Sequence, residues 1–220
     1  MILTVEQLYV IAYLTGEKKK IFNIPFPTDK KGNELGYKEI IDTGWKQLEK
    51  DGLVVDGKPI EKAEFLIIMM SEYLRKGNYL VIDHFTYAVD GASKEMTAYL
   101  EEVEGKKYRL NMLVKPIMIA GIMKDRPYLM KLEKEVIGKW SPESLLNMQM
   151  KYGKEEGVIV SAYHDYQLHY QSVLIDNKKD VVEFDLLNER VRSMSAPSAV
   201  LLITELMKAR GEIRERQYQS

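Results

Sequence analysis

The sequence predicts an α+β fold: two pseudo-two-fold-related helix–three-strand–helix halves that form a central, mostly antiparallel sheet flanked by helices. Three observations predict it. Some segments repeat apolar residues at three and four, the spacing of one helix face, and others alternate them as strands do. Gly, Asn and Asp turn signals separate the alternating segments. The whole order then returns: Val81 is matched by Val160, Tyr87 by Tyr166, YRLNML (108–113) by VEFDLL (182–187), and Pro116 by Pro197.

The first helix is TVEQLYVIAYLTG, where Thr4 and Gln7 fit a capping box and Gly16 suits the stop. KKKIFNIPFPTDKKGNE follows. Its prolines forbid a helix, while Ile21, Phe22, Ile24 and Phe26 predict an extended segment pinned to the core. A second helix spans about 35–51, with Tyr37, Ile40, Ile41, Trp45 and Leu48 as its stripe. A third follows Pro59 and ends at Gly77, with Phe65, Leu66, Ile68, Met69 and Tyr73 as its packed face. Strands are predicted at about 79–89, 96–103 and 107–114, and Pro116 opens a Met-rich helix that Pro127 interrupts. In the second half, Ser141-Pro142 starts a helix that ends at Gly153. Strands at about 157–168, 169–176 and 181–187 lead to a last helix opened by Pro197 and closed by Gly211. The reading is one domain over 1–220, with repeats at about 60–127 and 141–211 and an N-terminal helical extension over 1–59.

Composition narrows the function. The 220 residues are 45% hydrophobic and 30% charged, an ordinary globular balance, and the formal net charge of −1 offers no basic excess for nucleic acid. The absence of Cys excludes disulfides and thiolate chemistry and points to a reducing compartment. MILTVEQLYV does not read as a secretory signal, and no run reaches the roughly 18 apolar residues of a membrane span, so a cytoplasmic protein is expected.

Catalytic signatures are weak. The chain has three histidines, His84, His164 and His169. In a continuous strand, neighbours point to opposite faces, which would separate Asp83 from His84 and His164 from Asp165. His164 and His169 would be separated too, unless a tight bend lay between them. No HExxH, GxxxxGK[ST], GxGxxG or GxSxG pattern occurs, so neither a metal nor a cofactor is expected. WKQLEKDGLVVDGKPI resembles the helix-to-wing passage of winged-helix DNA-binding regulators, but Glu49, Asp51 and Asp56 would meet phosphates badly.

Tyrosine is the remaining peculiarity. Tyr79, Tyr87, Tyr99, Tyr163, Tyr166 and Tyr170, with Leu206 of the last helix, are the candidate partner-binding residues, because tyrosine gives large contact area at low entropy cost. Strand preference alone also explains tyrosine in such segments. Twelve methionines read chiefly as core.

The order of elements resembles the EspG-like chaperones of ESX (type VII) secretion systems. The likeness rests on the helix TVEQLYVIAYL, the segment IFNIPFP, the passage LEKDGLVVDGKPI, and the duplicated meander with its closing helix. It implies a cytosolic, non-enzymatic chaperone that binds helical secreted proteins of an ESX-type locus. No catalytic residues carry over, and a homodimer is left open. The chain is short for that family, and its turn VDGASKE (89–95) is compact where relatives often carry a long loop. The alternatives are a winged-helix-like DNA-binding regulator using 37–60, or a small ligand-binding enzyme using the histidines.

Overall fold

The computed structural model describes residues 1–17, 20–91, 95–130, 157–177 and 180–208. The protein is α+β, with a large antiparallel sheet flanked by helices. Its chain divides into two compact units, residues 1–77 with 84–113 and residues 78–83 with 114–220. Among the described residues, no helix is long and apolar enough to cross a membrane.

The first unit is organised around α1 (Val5–Leu14), most of which is buried. Its start is a capping box: Gln7 N–H donates to Thr4 Oγ1 at 3.2 Å, and Thr4 N–H donates to Gln7 Oε1 at 2.9 Å. Thr15 is the C-cap, and Gly16 follows at φ +90°, a conformation that costs glycine nothing. α2 (Tyr37–Lys50) crosses α1 at Gly44, where an added Cβ would stand 2.3 Å from the Glu6 carbonyl oxygen. The proline-containing segment is pinned as expected. Ile21 and Ile24 are buried, the Tyr73 hydroxyl donates to the Phe22 carbonyl at 3.0 Å, and Asn23 Nδ2 donates to Thr86 Oγ1 at 2.7 Å.

β2 (Val54–Val55) and β3 (Lys58–Pro59) form a small hairpin over Asp56-Gly57, and α3 (Glu61–Leu74) follows. α3 packs on α1 and on two strands, β5 (Phe85–Ala88) and β6 (Met96–Glu104). β7 (Lys107–Val114) and β1 (Leu3–Thr4) complete the strand order β1-β7-β6-β5. Tyr108 of β7 pairs with Leu3, and burial, reinforced by the charge of Glu102, pushes its phenol up to about 12. A raised tyrosine favours the folded state fully below the ordinary value near 10 and loses that contribution as pH climbs through about 12. We therefore expect the fall in unfolding free energy between pH 9 and about 11.5, read by urea titration, to be smaller in Tyr108→Phe than in the natural chain.

The second unit has the strand order β4-β8-β9-β10-β11: β4 (Tyr79–Ile82), β8 (Gly157–His164), β9 (Gln167–Asp176), β10 (Val181–Asp185) and β11 (Arg190–Met194). Ile175, Val182 and Phe184 form a core cluster on one face, with Val173 and Val191 beside it. α4 (Lys115–Asp125), the 3-10 turn Pro127–Met130 and α5 (Ala196–Lys208) pack on one another. Tyr128 ties the 3-10 turn to the sheet by donating to the Leu174 carbonyl at 3.2 Å. Ser195 caps α5, its Oγ accepting from Ser198 N–H at 3.3 Å, so Pro197 sits in the first turn where its missing N–H costs nothing.

Four expectations need correction. The strand read as continuous over 79–89 is two strands, β4 and β5, joined by a turn at Asp83-His84, with Asp83 at φ +51°. The strand read over 157–168 likewise turns at Asp165-Tyr166, whose φ angles are +47° and +65°. With β11 added, each run carries four strands rather than three, and Tyr87 lies in a strand while Tyr166 lies in a turn. Finally, Phe65 and Ile68 are not on the packed face of α3; they are 56% and 54% exposed. Helix 141–153 and the end of the last helix lie outside the described residues.

Candidate functional site

The β8–β9 hairpin of the second unit gathers the largest share of the candidate residues. Its two-residue turn holds Asp165 and Tyr166 in left-handed backbone without a glycine, a cost of order 1–3 kcal/mol each unless the surroundings enforce it. They do. The buried Asn78 accepts Asp165 N–H on its Oδ1 at 2.9 Å, and the buried Tyr79 ring lies 6.0 Å from the Tyr166 ring. Burial drives the Tyr79 phenol upward, and Tyr166 adds to the shift, so Tyr79 stays neutral.

Strand alternation puts Ile159 and Tyr163 on one face of this hairpin, and Leu168 pairs directly with Tyr163. Ile159 is 43% exposed, Leu168 37%, and Tyr166 at the tip 49%; Tyr163 is half-buried. His169 is the extra residue of a bulge: Ala162 pairs with Tyr170 and Tyr163 with Leu168, which skips it. The turn and bulge bring His164 and His169 to 5.6 Å between ring centres, and His164 Nε2 to 3.4 Å from Asp165 Oδ2. The expected separation of His164 from Asp165 is thus overturned, because that rule holds only within a strand. Asp83 and His84 are not strand neighbours either. Asp83 accepts from Ile159 N–H at 3.2 Å and pairs with Arg126 at 2.7 Å, while the His84 ring lies 4.1 Å from Phe85. Asp83 therefore fastens the end of β4 to β8 and to Arg126 at the C-cap of α4. Asp83→Ala should lower thermal stability by about 1–2 kcal/mol with the far-UV circular dichroism unchanged.

The other candidates are placed differently. Tyr170 points to the opposite sheet face and donates to Glu183 Oε1 at 2.6 Å; Ser172 donates to the same oxygen at 3.1 Å, and Arg192 Nε reaches Oε2. Burial, with the nearby Glu183 charge, pushes the Tyr170 phenol up. This is an internal lock between β9, β10 and β11. In the first unit, Tyr87 and Tyr99 are register partners with ring centres 5.4 Å apart, and Phe85 stacks on Tyr87 at 5.9 Å. Tyr79, Tyr87 and Leu206 are core residues, so their side chains are spent on packing within the chain. Of the seven candidates, Tyr166 is the one exposed, with Tyr99, Tyr163 and Tyr170 half-buried. Sequence reasoning missed Ile159 and Leu168, whose only signal was apolar character in strands whose facing is set by a glycine-free turn.

Among the described residues, no group of three His, Asp or Glu stands together as a metal-ligand set. α2 is followed by the short β2–β3 hairpin, and Glu49, Asp51 and Asp56 are exposed there. No curated protein matches the chain. A family model matches residues 1–209, and the chain belongs to that family, described as a domain of unknown function (DUF5081).

Proposed function

We propose that this DUF5081 protein is a non-enzymatic, cytoplasmic chaperone or adaptor of the EspG-like kind, which holds a helical secretion substrate of a type VII (ESX) system against its second unit. The observation that carries the reading is the set of apolar side chains that the β8–β9 hairpin leaves in water: Ile159, Tyr166 and Leu168 exposed, with Tyr163 beside them. Large apolar side chains left in water represent unused binding energy, about 1.5–3 kcal/mol for each one fully buried by a partner. They also sit on a hairpin whose turn is already held by Asn78 and Tyr79, so little order has to be gained on binding. Tyrosine at the tip suits such a contact, offering a broad ring with few rotatable bonds. An amphipathic helix would lay its apolar stripe along these side chains.

The test is affinity purification from the native host with the natural chain and with a Tyr166→Ser, Leu168→Ser variant. Small helical secreted proteins should come with the natural chain and be at least tenfold depleted with the variant. Recovery of none, or equal recovery by both, overturns the reading.

One specific observation supports a second reading, a small enzyme acting at the hairpin tip: the approach of His164 to Asp165 and His169. A base oriented by a carboxylate is the start of a catalytic site. If it operates, His164→Ala abolishes turnover of a substrate that the purified chain converts.

A further inference from the structure

We propose that the exposed face of α3 is a self-association surface on which a second copy of this chain docks antiparallel. The positions Glu61, Phe65, Ile68, Glu72 and Arg75 follow one another at spacings of four, three, four and three, which is the seam spacing of a two-helix coiled coil. The buried side of α3, Ala63, Leu66, Met69, Met70 and Tyr73, is already committed to the first unit. The seam is a separate stripe, and its two apolar members are the Phe65 and Ile68 left in water.

The charges select the occupant and its direction. The first turn of α3 is acidic at Glu61 and Glu64, and basic Arg75 and Lys76 stand just beyond its last turn. Glu61 and Arg75 are separated by about 21 Å along the axis, at 1.5 Å per residue. A second α3 laid antiparallel with its Ile68 on Ile68 puts Glu61 of each copy opposite Arg75 of the other, twice over, and places each Phe65 next to the paired isoleucines. A parallel arrangement would instead stack Glu61 on Glu61 and Arg75 on Arg75. Glu72 already lies 3.8 Å from Arg75 within its own helix and is mostly covered, so it adds little repulsion across the seam. The helix is therefore complementary to itself in one orientation only, as a two-fold interface requires. With two apolar anchors per copy the interface is small, and the dimer is a weak, concentration-dependent one.

The chain contains no cysteine, so single cysteines report the geometry directly. Ile68→Cys should cross-link to itself under mild oxidation. Glu61→Cys and Arg75→Cys should each fail to self-link but should link when mixed. Lys46→Cys on exposed α2 is the background control. Sedimentation of the natural chain should rise from 25.5 kDa towards twice that value with concentration. Phe65→Ser with Ile68→Ser should remove the rise. Glu61→Arg and Arg75→Glu should each weaken association at least fivefold, and the two together should restore it. A single 25.5 kDa species up to millimolar concentration overturns the proposal. So does efficient self-linking of Glu61→Cys, which reports a parallel pair, or cross-linking of Ile68→Cys no faster than Lys46→Cys. The substrate-binding reading uses other residues and a host extract, so either can fail alone.

Discussion

Arg192→Leu should destabilise the protein by about 3–5 kcal/mol at pH 7, the range found when a buried carboxylate loses its cationic partner. The two members of the pair are unequally placed. The Glu183 side chain is 3% exposed, whereas Arg192 is 32% exposed. Removing Arg192 strands a charge that water barely reaches, left among the described residues to the hydroxyls of Tyr170 and Ser172. Removing Glu183 instead leaves a guanidinium that can turn to solvent. Glu183→Leu should therefore cost less than Arg192→Leu. The double variant should recover much of the loss, because no charge then remains to be desolvated. Urea unfolding of the two single variants and the double variant beside the natural chain at pH 7 measures the order.

The same network shows where sequence reading stops. Glu183 stands in the apolar run VVEFDLL and looks like an outward strand position, yet it is buried. Its partners come from Tyr170 and Arg192 on neighbouring strands, and register cannot be derived from a strand's own letters. The fold class was legible because periodicity reports which side chains need covering. The capping box at Thr4 and the pinned segment at Ile21 and Ile24 were legible for the same reason, since each is decided within a few residues. Two turns were not, because Asp83-His84 and Asp165-Tyr166 turn without the glycine that marks such turns, and apolar residues run up to both. That hid the approach of His164 to Asp165. It also led Tyr87 and Tyr166 to be matched as equivalent positions of one repeated strand, although Tyr87 lies in a strand and Tyr166 in a turn. On α3, apolar residues cover so wide an arc that periodicity could not tell which part meets the core. The packed part is Leu66, Met69, Met70 and Tyr73, and the remainder is Phe65 and Ile68.

Gly44→Ala should lower stability by about 2–3 kcal/mol, against the usual direction of that exchange in a helix. Alanine inside an exposed helix gains roughly 1 kcal/mol over glycine, since it reduces the freedom of the unfolded chain. Gly44 lies mid-helix in α2, where the gain would apply, and its φ is not in the left-handed region. The obstacle is packing. A Cβ there would stand 2.3 Å from the Glu6 carbonyl oxygen, 2.6 Å from its carbon and 2.7 Å from a Val10 methyl. Two of these three atoms are backbone of α1, which cannot swing aside as a long side chain would. α1 is also held at its start by Thr4 and Gln7, and Gln7 Nε2 donates to Asp51 just beyond α2 at 2.7 Å, so separating the helices strains that bond as well. A glycine elsewhere in the chain supplies the control. Gly36, the N-cap of α2, has nothing within 4 Å of an added Cβ and an ordinary φ, so Gly36→Ala should change stability by less than about 1 kcal/mol. If both exchanges cost the same in urea unfolding, the close crossing of α1 and α2 is not what Gly44 provides. If Gly44→Ala alone falls, and Gly44→Ser falls with it, the closeness of the two helices is the property that this position secures.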